Sequence, residues 1–94
     1  MKKIFWTEPA IDDLDDVHHF IAKDSVVYAN AVILEIMNTV DRLQDFPDSG
    51  KLVPDFDQSS RELLVGNYRI IYDYSETAVH ILSVVHTARL FPNL

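Results

Sequence analysis

The chain has 94 residues, no cysteine and a formal net charge of −7, with apolar side chains making up 48% of it. That length carries one core, and the composition excludes a disordered, collagen-like or disulfide-framed chain as well as thiolate catalysis and cysteine-held zinc. The acid is concentrated early: residues 1–50 hold ten carboxylates against four bases and residues 51–94 five against four, so the first half repels a polyphosphate while the second is close to neutral.

Ile4, Phe5 and Trp6 form a short β-prone run, and Thr7 follows where a helix N-cap belongs, with Glu8 and Pro9 in the first turn. Ala10, Ile11, Leu14, Val17 and Ile21 then recur at helical spacing, with Asp12, Asp13, Asp16, His19 and Lys23 mostly on other faces. Asp24-Ser25 supplies a second cap, and Ala29, Ile33, Ile36, Val40 and Leu43 step along a longer helix that Pro47 and Gly50 terminate. Two helices joined by so short a turn lie antiparallel, and each keeps an apolar stripe to cover. Asp15, His18 and His19 lack a third ligand at matching spacing, so no metal site and no cofactor is expected.

The segment "KLVPDFDQSS" contains a proline and little alternation, and reads as a connecting loop. "RELLVGNYRIIYDY" reads as a hairpin around Gly66-Asn67, with glycine first as a type II′ turn prefers. Val65 then faces Tyr68, Leu63 faces Ile70 and Arg61 faces Tyr72. Arg69 lies diagonal to Glu62 on the other face, which points to a structural ion pair between Glu62 and Arg69. "AVHILSVVH" continues as a further strand, with Val79, Ile81, Ser83 and Val85 on one side and His80, Leu82, Val84 and His86 on the other. The expected architecture is α+β over residues 1–94: an N-terminal strand and a two-helix antiparallel hairpin packed on a mostly antiparallel sheet of about four strands. The N-terminus has no apolar run of signal or membrane length, so the expected location is cytoplasmic.

Four pieces in this order, "WTEPAIDDL", "FPDSGK", "RELLVGNYRIIYDY" and "ILSVVHTARL", resemble the RelE/ParE toxins of type II toxin-antitoxin modules, also called plasmid-stabilisation proteins. The resemblance implies a toxin neutralised by a cognate antitoxin that wraps it and builds the oligomer. RelE-like members are metal-free ribonucleases that cut messenger RNA on the ribosome; ParE-like members act on DNA gyrase and cut nothing. RNA cleavage needs a base, an acid and cations around the phosphorane, for which His86, Arg61, Arg89 and Glu62 are the available catalytic set, with Arg69 as a further cation. The middle loop offers only Lys51 among aspartates, and no tyrosine follows Tyr74. The sequence therefore leans to the ParE-like side, with Arg61, Tyr72, His86 and Arg89 as target-binding residues. Ribosome-dependent mRNA cleavage is the alternative, and a remnant that only binds its antitoxin is the third.

Overall fold

The computed structural model describes residues 1–54 and 56–88. Strand β1 (Lys3–Trp6) leads into helix α1 (Glu8–Ala22), followed by helix α2 (Val26–Asp41). Thr7 caps α1 by accepting the Ala10 N–H, and its hydroxyl also donates to the Ile81 carbonyl at 2.7 Å, so the cap is tied to the sheet as well as to the helix. Ser25 caps α2 through a 3.0 Å bond from the Tyr28 N–H. The second helix ends earlier than its apolar stripe: Arg42–Gln44 tightens to a 3-10 turn, which carries the buried Leu43.

Four more strands follow: β2 (Lys51–Leu52), β3 (Arg61–Val65), β4 (Tyr68–Tyr74) and β5 (Ala78–His86). They form, with β1, one five-stranded sheet of order β1-β5-β4-β3-β2. This adds an edge to the expected sheet, because Lys51 and Leu52, at the start of the expected loop, pair with Glu62 and Arg61. Only β1 is parallel to its neighbour, matching Lys3 with Ala78 and Trp6 with Ile81.

The hairpin register is Arg61 with Tyr72, Leu63 with Ile70 and Val65 with Tyr68. Gly66 has φ of 57° and no other residue described has positive φ, which fits a type II′ turn with glycine at its first central position. The strict alternation expected for β5 does not hold. Ile71 is matched with Ser83 but Tyr72 with Ile81, so one extra residue of β5 is accommodated between them. Val79 and Ile81 therefore share the helix-facing core with Val84, while Leu82 and Val85 pack on the reverse of the sheet. The bulge has a partner on α1: Asp13 Oδ2 accepts from the Ser83 hydroxyl and from the Val84 N–H, each at 2.9 Å.

The main core lies between helices and sheet and includes Ala10, Ile36, Val40, Leu43, Ile70 and Tyr72, with Trp6 and Val17 packed against it. A smaller cluster of Val53 and Ile71 covers part of the opposite face.

Candidate functional site

Asp13, Asp16, Val17 and Phe20 recur at helical spacing and line one face of α1. That face passes over the end of the sheet where β4 begins and β5 finishes. Together with Tyr68, Val84 and His86 it bounds a cleft of about 430 Å3. The bulge brings His86 here, since the shifted parity turns it to the helix side, opposite Tyr68. The two rings meet edge to face, with centroids 5.3 Å apart and planes at 88°. His86 Nδ1 accepts the Ala88 N–H at 3.1 Å, so the neutral ring carries its proton on Nε2. The cleft thus has an apolar floor, two aromatic walls, one imidazole and two carboxylates.

The other candidates lie elsewhere. Tyr72 is fully buried, donating its hydroxyl to the Pro47 carbonyl at 2.7 Å and accepting the Gly50 N–H at 2.9 Å. Burial raises its pKa above the ordinary tyrosine value of 10.0, against opposing contributions from the Gly50 hydrogen bond, Arg61 and Ser49. Tyr72 is therefore a pillar of the core and not part of a contact surface. Arg61 runs to the same loop, where its guanidinium donates to the Gly50 carbonyl at 2.7 Å and the Asp48 carbonyl at 3.2 Å. A side chain at position 50 would not fit, because a Cβ there would lie 2.6 Å from both the Glu62 carbonyl and the Tyr72 hydroxyl. The charge in this strand is answered by backbone carbonyls at helix-free positions 48 and 50.

Arg69 Nε donates to Glu62 Oε2 at 2.7 Å, an ion pair across the hairpin whose side chains are only 19% and 16% exposed. Glu62 and Arg69 lie on the sheet face opposite to Arg61 and Tyr72. Along the strands, the Arg61–Tyr72 pair and the Tyr68–His86 pair are four positions apart, about 13 Å. Arg61, Glu62 and His86 are thus not brought together, and Arg89 lies outside the described residues. Asp13, Asp16, Phe20 and Tyr68 line the cleft without being among the expected site residues: the two acids read as part of a solvated helix face, and only the spacing of Asp13, Asp16 and Phe20 signals that they share that face.

A second histidine is also placed by pairing. His80 Nδ1 lies 3.0 Å from Asp73 Oδ1, and its ring stacks near Phe5 with centroids 6.1 Å apart. On the helices, His18 Nε2 bonds Asn30 Oδ1 at 2.7 Å and joins α1 to α2.

The sequence model of the ParE toxin of the type II toxin-antitoxin system parDE matches residues 4–91. The chain belongs to this family. Protein Y4kP of Sinorhizobium fredii is 34% identical over 94 residues, covering 99% of this chain and 96% of that one. Toxin RelE2 of Caulobacter vibrioides is 32% identical over 91 residues, covering 96% of this chain and 100% of the relative. Among solved structures, the chromosomal ParDE toxin-antitoxin system from P. aeruginosa superimposes with a TM-score of 0.77 over 92% of this chain and 96% of that chain. At 21% sequence identity this likeness speaks for the ParE fold alone. Membership in the ParE family implies an antitoxin partner. No helix among the described residues of this ParE-family chain is long and apolar enough to cross a membrane.

Proposed function

We propose that this chain is a toxin that acts by binding DNA gyrase, as ParE-like toxins do, and that it performs no cleavage itself. The observation that carries this reading is the dispersal of the groups a metal-free ribonuclease would need. Glu62 is committed to Arg69 on the sheet face away from the helices, Arg61 to loop carbonyls, and His86 stands beside Asp13 and Asp16. A phosphorane gains its stabilisation from cations aimed at its oxygens, and carboxylates at the same cleft oppose that. A protein contact has no such requirement, and the cleft's aromatic walls suit one.

The antitoxin is proposed to cover the exposed apolar side chains of the helical layer. Phe20 is 68% and Val27 81% exposed, and Tyr28, Leu34 and Met37 of α2 are exposed as well, large apolar side chains of the kind an interaction surface covers. Because these helices also hold most of the acidic excess, the covering segment is a basic amphipathic one, and its affinity falls as salt rises.

Two assays run side by side test the target. The purified chain is expected to stop supercoiling by gyrase and to leave message intact in a translating extract. Ribosome-dependent cleavage that disappears with His86→Ala would replace the gyrase reading by the RelE-like one. Growth without arrest on induced expression would leave only an antitoxin-binding remnant.

A further inference from the structure

We propose that a second copy of this chain pairs with the outer edge of β1, in antiparallel register across a two-fold axis at Phe5. In the parallel ladder the odd residues of β1 turn their backbone groups to β5: Lys3 N–H donates to the Thr77 carbonyl at 3.0 Å and Thr7 N–H to the Ile81 carbonyl at 3.1 Å. The even residues consequently aim outward. Lys2 N–H is taken by the Gln44 carbonyl at 3.0 Å, whereas Ile4 and Trp6 have no outer backbone partner among the described residues. A trough of about 670 Å3 runs along this edge, bounded by residues 1–6, Asp41 and Gln44. The edge has no proline, no bulge and no paired strand; what guards it is its four-residue length, Lys3, and the 3-10 turn whose Gln44 carbonyl meets it at Lys2, which leaves Ile4 to Trp6 open.

The sequence of the edge is complementary to itself. Centred on Phe5, the pairing sets Ile4 opposite Trp6 of the second copy and Trp6 opposite its Ile4. Both are hydrogen-bonding pairs, and they use the outward N–H and C=O groups left over here. Phe5 then meets its own copy as a close non-hydrogen-bonded aromatic pair, which accounts for a phenylalanine that is 51% exposed on an edge strand. Lys3 falls opposite Thr7, next to the acidic start of α1 in the other copy, whereas the Lys2 ammonium stays with its own chain, donating to the Ser75 and Glu76 carbonyls at 2.7 and 2.6 Å. The Lys2 N–H, already spent on Gln44, is not needed.

The chain has no cysteine, which makes cross-linking clean. Phe5→Cys is expected to give a disulfide-linked dimer on mild oxidation, because non-hydrogen-bonded antiparallel pairs hold their Cβ atoms near disulfide distance. Leu64→Cys, 62% exposed on the same sheet face but away from the edge, serves as the control and is expected not to link. By light scattering, the mass of the free chain rises from monomer to dimer with concentration. Phe5→Lys weakens the association by about tenfold or more by setting like charges face to face. Circular dichroism checks that each variant folds. A monomer at every accessible concentration, or Phe5→Cys linking no faster than Leu64→Cys, overturns the proposal. So does finding that the edge takes an antitoxin segment while the free chain shows no self-association.

Discussion

Replacing Tyr72 by phenylalanine keeps the ring that fills the core and removes only the hydroxyl. That oxygen serves two backbone groups, the Pro47 carbonyl and the Gly50 N–H, at the point where the chain leaves α2 and enters β2. Gly50 is buried, so its N–H would be left without a partner at a cost of about 1–3 kcal/mol, and the lost bond to Pro47 adds about 1 kcal/mol. The expected loss is about 3 kcal/mol in urea unfolding with an unchanged slope, equivalent to a fall in Tm of about 12–24 °C for a domain of this size. Tyr28→Phe, at an exposed position, is the matched control and should stay within about 0.5 kcal/mol. A loss below about 1 kcal/mol for Tyr72→Phe would refute the reasoning, since it would mean that the 47–50 loop meets its hydrogen-bonding needs without the tyrosine.

The same hydroxyl produces a pH dependence. Its pKa is raised in the folded state, so its contribution is fully present below the ordinary value of 10.0 and is lost as pH rises from there through the folded pKa; Tyr72→Phe should remove that part of the alkaline slope of stability. Asp13→Ala should cost about 1–3 kcal/mol in urea unfolding, because it strands the Val84 N–H at the bulge, and Asp13→Asn should recover part of this by keeping one acceptor oxygen. A double-mutant cycle on Glu62 and Arg69 should return a coupling of about 1 kcal/mol that shrinks with added salt; a coupling indistinguishable from zero at low salt would mean that the pair contributes only geometry.

The helix starts were legible because capping is a local matter. Thr7 and Ser25 each satisfy an amide three residues on, and no distant part of the chain is needed to see it. The hairpin register was legible for the same reason, a glycine at the first turn position setting every pair from Val65–Tyr68 to Arg61–Tyr72. Glu62 and Arg69 then became diagonal neighbours by arithmetic alone. The expected helical stripes hold only in part: Ala10 is buried while Ile11 is exposed, Val32 packs on the core, and Leu43 reaches it from a 3-10 turn instead of from the helix.

What the amino-acid order determined by itself is therefore whatever depends on contacts a few residues apart: caps, the tight turn, and the apolar faces of helices and strands. The tertiary structure decided the rest. The parity of β5 changes at a bulge whose N–H and hydroxyl are held by Asp13, 70 and 71 residues away, and that change alone carries His86 to the helix side. Arg61 is anchored through Nη1 by carbonyls of a loop that folds back through Tyr72, and β1 becomes an edge by pairing with a strand from the other end of the chain. Each outcome depends on groups far apart in sequence competing for the same hydrogen bonds, a competition that exists only once the helices and the sheet have closed on one another.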